Sequence, residues 1–139
     1  MAGLDSNVIV RCLVQDDPGQ SALGSRFIER KLTVARPGFI SLVVLVETCW
    51  VLRRLFSVDE EELVGTLQDM LNTAQFDFER RDVVMAAIGQ RAVGRGRKAG
   101  FTDLLIAQLS KAARSTHTVT FDKAAARSAG MRLLTPLSE

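Results

Sequence analysis

Four acidic residues stand where a carboxylate could do chemistry: Asp5, Glu47, Asp103 and Asp122. Asp5 follows the apolar residues 2–4 and Asp122 follows Thr-Val-Thr-Phe, so each is predicted where a strand passes into a helix. Parallel sheets bind ligands beyond the carboxyl ends of their strands. Each of these two acids also has an ordinary role, because aspartate is a preferred helix N-cap. Taken singly, capping is the favoured interpretation of both.

The other two acids lie inside predicted helices. Asp103 falls in the first turn of a helix predicted over residues 102–114, where an acid complements the positive end of the helix dipole. Glu47 lies within the apolar run 40–52, and a helix that is apolar nearly all round should be buried. A buried carboxylate needs a cation beside it. A buried ion pair with Arg53 or Arg54 is the alternative to a functional Glu47, and the functional role is favoured.

The four carboxylates suggest one metal site if they face the same end of a sheet. Carboxylates that lie close together repel one another unless a positive charge neutralises them. Mg²⁺ and Mn²⁺ prefer such oxygen ligands, and these ions can activate water and stabilise the leaving oxygen of a phosphodiester. The pattern therefore predicts a site for Mg²⁺ or Mn²⁺ that could act on a phosphodiester.

The sequence lacks the residue patterns that other common catalytic chemistries require. His117, the single histidine, falls within a predicted strand and has no partner cluster, so a Ser-His-Asp arrangement is not expected. No cysteine–histidine spacing indicates zinc, and no glycine-rich phosphate loop follows a strand. Cys12 and Cys49 each lie in an apolar stretch, which predicts two buried thiols in a reducing compartment.

Length and composition predict one domain over residues 1–139, with 47% apolar residues to build its core. The 18 basic and 16 acidic residues give a net charge of +2, too mild to imply nucleic-acid binding by itself. No signal peptide is predicted at the start, and the longest apolar run is too short to cross a bilayer. A soluble, cytoplasmic protein with no membrane association is expected.

Short apolar segments alternate with segments of helical period, which favours a parallel sheet covered by helices on both faces. Turns are predicted at residues 16–19 and 36–38, and residues 57–60 match a capping box. Residues 8–14 fit a strand or a helix. Helices are predicted over 21–31, 42–55, 81–93, 102–114 and 122–128, with another after the capping box, and strands over 39–40, 76–78, 117–121 and 131–134.

Several of these segments, in this order, resemble the PIN-domain family, and more narrowly the VapC-type ribonuclease toxins of bacterial toxin–antitoxin pairs. The resemblance covers nearly the whole chain. It rests on Leu-Asp-Ser-Asn-Val at 4–8, Asp-Asp-Pro at 16–18, Val-Glu at 46–47 with Trp-Val-Leu-Arg-Arg at 50–54, Phe-Thr-Asp-Leu-Leu-Ile-Ala at 101–107 and Thr-Phe-Asp-Lys-Ala-Ala at 120–125.

The resemblance implies an α/β/α sandwich around a short parallel sheet, with residues 8–14 as a helix. It implies that the four acids bind metal, with Asn7 and Thr120 as polar helpers beside them. It also implies a homodimer and a cognate antitoxin, with RNA cut to leave 5′-phosphate and 3′-hydroxyl ends. Many relatives carry an acid at the position of Gly100 and alanine at the position of Thr102, so one or two metal ions remain open.

The loop at 94–100 is rich in basic residues, and Arg95, Arg97 and Lys98 are either a grip for substrate phosphates or a solvated loop. Two other functions compete with the ribonuclease. The chain could be a catalytically weak PIN module that acts with its antitoxin in DNA-bound autorepression. It could also be a phosphatase, although Lys123 directly after Asp122 is poorly supported as the lysine such a site needs.

Overall fold

The computed structural model describes residues 1–93 and 99–136, and the chain divides into two compact units, Met1–Arg80 and Arg81–Glu139. Both units alternate helices with short parallel strands, which confirms the α/β class. In the described part of the chain, no helix is both long enough and apolar enough to cross a membrane.

The first unit contains a three-stranded parallel sheet with strand order β1-β2-β3. Helix α1 packs against α2 and α3, and α3 packs against α4. The elements are β1 (Ala2–Gly3), α1 (Ser6–Val14), α2 (Pro18–Arg30), β2 (Gly38–Ile40), α3 (Leu42–Leu55), α4 (Glu60–Leu71) and β3 (Phe76–Phe78).

The carboxyl ends of these three strands meet at one edge of the sheet, because all pairs are parallel. Ladder bonds continue one residue past the strands, from the Leu4 amide to the Phe39 carbonyl at 2.9 Å and from the Glu79 amide to the Ile40 carbonyl at 2.9 Å. Helices α1 and α3 both begin at this edge. A Glu79 carboxylate oxygen accepts the Leu42 amide at 2.8 Å and so fixes the start of α3.

Close packing at the middle strand requires a glycine. A Cβ added to Gly38 would lie 2.8 Å from a methyl carbon of Leu32 and 2.8 Å from one of Leu4. The absence of a side chain therefore lets two buried leucines close over β2. Large side chains from the helices complete the core of this unit: Ile9, Leu45, Leu52, Leu63, Leu67 and Met70.

The second unit holds the remaining elements: α5 (Arg81–Val93), α6 (Phe101–Ala112), β4 (Val119–Thr120), α7 (Lys123–Ser128) and β5 (Arg132–Leu133). Strands β4 and β5 pair in parallel, and α5 packs against α6. The contact between these helices is apolar on both sides, since Val84 and Ala87 of α5 and Phe101, Leu104 and Leu105 of α6 are at most 1% exposed.

Most of the elements predicted from the sequence are confirmed. Residues 8–14, which fitted a strand or a helix, belong to α1. The predicted bounds of α3, β3 and α5 agree with the structure. Helix α6 begins and ends slightly earlier than predicted, and residues 132–133 form the last strand where 131–134 were predicted.

Two helix starts were predicted wrongly, because a different side chain makes the cap. Asp17 accepts the Gln20 amide, and Pro18 takes the first helical position, so α2 starts inside the predicted turn at 16–19. Asp59, rather than Ser57, accepts an amide at the start of α4. Ser57 instead has a positive φ of 53° and precedes the helix.

Helix α3 is not buried on all sides, contrary to prediction. Val43 is 76% exposed and Trp50 is 56% exposed, so Trp50 is not a core residue. The buried face carries Leu45, Cys49 and Leu52. The strand predicted over 117–121 is also shorter than expected. His117 precedes it, and the hydrogen-bonded pairing is limited to β4.

Candidate active site

In the first unit, the Asp5 side chain does not cap the helix that it precedes. Asp5 is the N-cap residue of α1 by backbone conformation, yet its carboxylate makes no capping bond, so the capping role predicted for it is wrong. One carboxylate oxygen, Oδ2, accepts a hydrogen bond from the side-chain nitrogen of Asn7, Nδ2, at 3.1 Å. Both residues are exposed. The Asp5 carboxylate is therefore exposed to solvent and hydrogen-bonded to the Asn7 side chain.

Glu47 lies in the second turn of α3 and accepts a hydrogen bond from the hydroxyl of Ser6. It is exposed rather than buried, because it falls on the outward face of α3. The alternative pairing with Arg53 is not seen. Arg53 lies 3.6 Å from Glu60 and donates to the Val58 carbonyl. Among the described residues, Glu47 has no ion pair with Arg53 or Arg54.

Ser6 is a site residue that the sequence did not indicate. It is the first residue of α1 and is 2% exposed, and its hydroxyl reaches Glu47 across 41 positions of sequence. Asn7 and Ser6 thus orient the two candidate site carboxylates of this unit, Asp5 and Glu47 respectively. Serine at a helix start is ordinarily explained by capping, so the sequence offers no signal for this cross-helix bond.

Ser6→Ala is expected to weaken the binding of Mn²⁺ about tenfold, since a partner that orients a metal-binding carboxylate typically contributes that much. Ser6→Thr should restore the Kd, which is measured by titration of the full chain with Mn²⁺. Ser21→Ala is the matched control, because Ser21 is 1% exposed and its hydroxyl has no partner among the described residues. Equal losses of affinity in the two alanine variants would contradict the role of Ser6.

In the second unit, Asp122 follows β4 and caps α7, as its single-residue interpretation predicted. Its Oδ1 accepts the amides of Ala124 at 2.8 Å and Ala125 at 3.1 Å. The Asp122 amide donates to the hydroxyl of Thr120 at 3.0 Å. Because both capping bonds use Oδ1, the second oxygen remains available to a ligand, and Thr120 holds the turn that presents it.

Asp103 lies in the first turn of α6, as predicted, and is half-buried. The N-cap of this helix is Gly100, which has no side chain to offer a capping bond. Asp103 is therefore placed where the unsatisfied backbone amides and the positive helix dipole favour a negative charge.

These side chains suit a hard divalent cation by their donor atoms. All four are carboxylates, and Asp5, Glu47 and Asp122 each retain an oxygen without a described hydrogen bond. Such oxygens are the ligands that Mg²⁺ and Mn²⁺ prefer. Within either unit, the described part contains no group of three or more His, Cys, Asp or Glu side chains that could hold a metal ion.

The two cysteines are free thiols with suppressed acidity. Burial, with a smaller contribution from the negative charge of Glu60, raises the pKa of the Cys49 thiol to about 12. Burial also raises the pKa of Cys12, against a lowering hydrogen bond from Ser25. Cys12 is half-buried, so the prediction of two buried thiols is correct for Cys49 alone. Neither supplies a thiolate nucleophile at neutral pH.

Arg95, Arg97 and Lys98, the predicted phosphate grip, lie outside the described residues. The described residues on either side are Val93, the last residue of α5, and the buried Ala99, whose carbonyl accepts a hydrogen bond from Arg91 at 2.7 Å.

Fold and site together define an α/β protein that carries acidic side chains where strands pass into helices and in the early turns of helices. The family model described as PIN domain matches residues 3–131, and the chain therefore belongs to the PIN domain family. Among solved structures, the chain is similar to the crystal structure of Mycobacterium tuberculosis VapC20, described as a sarcin-ricin loop cleaving toxin. That similarity has 16% sequence identity and a TM-score of 0.43, and covers 98% of this chain and 100% of that one. A comparison with curated proteins gave no match.

Proposed function

We propose that the chain is a metal-dependent endoribonuclease in which Asp5, Glu47, Asp103 and Asp122 serve one reaction. The observation that carries the proposal is the arrangement at the start of α1. Asp5 is not used as a cap, and the next two residues orient Asp5 and Glu47 through their side chains. A carboxylate that caps no helix, is exposed and is oriented by a side-chain amide is better suited to bind a ligand than to serve a structural role.

Asp5, Asp103 and Asp122, with Glu47, would hold Mg²⁺ or Mn²⁺. When bound, the ion supplies Lewis acidity toward the phosphodiester. Asn7 orients the Asp5 carboxylate, and Ser6 orients Glu47, whose exposed position suits it to accept a proton from the attacking water. Attack by water rather than by the ribose 2′-hydroxyl leaves a 5′-phosphate and a 3′-hydroxyl.

The biological setting we propose is the toxin half of a cytoplasmic toxin–antitoxin pair, with a cognate antitoxin and a homodimeric assembly. Membership of the PIN domain family and the motif resemblance to VapC-type toxins support this setting. Exposed apolar side chains on α3, including Val43 and Trp50, support a protein contact in the assembled state.

The test is cleavage of a mixed pool of transfer and ribosomal RNA by the full chain. Cleavage is expected with Mg²⁺ or Mn²⁺ and none with a chelator, and the new ends should ligate as 5′-phosphates. Cleavage in chelator that leaves 2′,3′-cyclic phosphates would contradict the mechanism. Absence of both cleavage and metal binding would favour the alternative, a PIN module that acts with its antitoxin in DNA-bound autorepression.

A further inference from the structure

A cavity lined mainly by polar groups lies within the second unit and has a volume of about 410 Å³. Its wall is built from α5, the last turns of α6, residues 115–118 and the turn after α7. This volume falls within the usual range for small-molecule sites. None of the acids assigned to the proposed reaction lines it.

The polar side chains of the cavity include one ammonium group and no carboxylate. Gln108 donates to Gln90 across the gap between α6 and α5 at 2.9 Å, and the hydroxyl of Thr116 lies 2.9 Å from Nδ1 of His117. Lys111 is exposed, and its ammonium group has no hydrogen bond or ion pair with a described residue. The cavity therefore offers an unpaired positive charge, hydroxyls and an amide pair to an incoming molecule.

The C-terminal end of α6 repels a negatively charged ligand less than a helix end with free carbonyl groups would. The carbonyls of Leu109, Ser110 and Lys111 accept hydrogen bonds from the backbone amides of the next turn, at 2.9–3.0 Å. Helix carbonyls that are satisfied in this way leave fewer acceptors to face a phosphate.

These groups match the parts of a nucleotide. An ammonium group with neighbouring hydroxyls binds a phosphate, and carboxamides can pair with the edge of a base. Histidine rings such as His117 also offer a face on which a base can stack. A smaller anion would leave the amide pair unused, and an apolar ligand would leave the Lys111 ammonium group without a partner in the cavity.

Helix α6 connects this cavity to the proposed reaction. Lys111 lies eight residues after Asp103 on the same helix, a distance of about 12 Å along the axis. A single RNA strand crosses that distance within a few nucleotides. We propose, resting on the proposed function, that the cavity binds one nucleotide of the RNA substrate and thereby helps to set where the strand is cut.

Binding is tested without cleavage, by NMR of the full chain in chelator. We expect 5′-mononucleotides and a short RNA to shift the resonances of His117 and the Gln108 amide, and ribose 5-phosphate and inorganic phosphate to bind more weakly. Lys111→Gln should weaken mononucleotide binding about tenfold, as loss of a charge-assisted contact does. Lys111→Arg should retain it, and Lys31→Gln, the loss of the exposed lysine that follows α2, should change nothing.

Two results would overturn the site: no shift at millimolar mononucleotide, or shifts from the free mononucleotide with none from RNA. In cleavage assays, Lys111→Gln is expected to raise KM about tenfold with little change in kcat. The two proposals fail separately. A chain that cuts no RNA but binds mononucleotides in chelator contradicts the ribonuclease, whereas a chain that cuts RNA with Lys111→Gln at full efficiency contradicts the cavity.

Discussion

Asp5→Asn is expected to lower the rate of RNA cleavage by about 10³-fold or more while the domain stays folded. Asparagine keeps the size of the side chain and an oxygen for Asn7, but it removes the negative charge that a divalent cation needs. The folded state should lose no more than about 1 kcal/mol, because the Asp5 side chain is exposed and caps no amide.

The measurement combines single-turnover cleavage with urea unfolding of the same preparation. Asp77→Asn is the matched control, since Asp77 is an exposed aspartate on β3 that belongs to no proposed site. It should cleave at the wild-type rate. Undiminished cleavage by Asp5→Asn, at wild-type stability, would end the proposed mechanism.

Phe101→Ala is expected to reduce the free energy of unfolding by about 3–5 kcal/mol, the usual cost of removing a large buried aromatic side chain. Phe101 is the first residue of α6 and is 0% exposed. Its removal would therefore leave a buried cavity that the surrounding side chains fill only in part. The same change should disturb the helix turn that carries Asp103, and cleavage should fall at temperatures where the variant remains folded.

The loss of unfolding free energy is measured from the urea midpoints of wild type and variant, with one common dependence of free energy on urea concentration. Phe121→Ala provides the comparison, because Phe121 is 80% exposed and its loss should change stability by less than about 0.5 kcal/mol. Similar midpoints for the two variants would show that α6 is not anchored through Phe101.

The sequence predicted helices and strands well where period and length agreed, and less well where the choice of cap decided a boundary. Leu42–Leu55 and Arg81–Val93 were found with their observed bounds. The start of α4 was misplaced because Ser57 and Asp59 are both good caps, and only the backbone of the folded chain shows which one accepts an amide.

The candidate site was predicted at the level of residue types, but its immediate surroundings were not. Asp5 and Asp122 both follow strands, yet Asp122 caps a helix and Asp5 does not. No local sequence pattern encodes this difference. Glu47 was expected to be buried because its run is apolar, whereas α3 exposes Val43 and Trp50 beside it. The bond from Ser6 depends on packing between α1 and α3, which is a property of the tertiary fold.

The capping bonds of Asp122 tie one candidate catalytic residue to the architecture, and Asp5 has no such tie. Loss of Asp122 would expose two amides at the start of α7 and weaken the helix, whatever happens to activity. Under relaxed selection, a lineage of this chain would therefore be expected to lose Asp5 first and to keep Asp122 long after cleavage had gone. An aspartate at position 122 is accordingly poor evidence that a descendant is still active, whereas an aspartate at position 5 is good evidence.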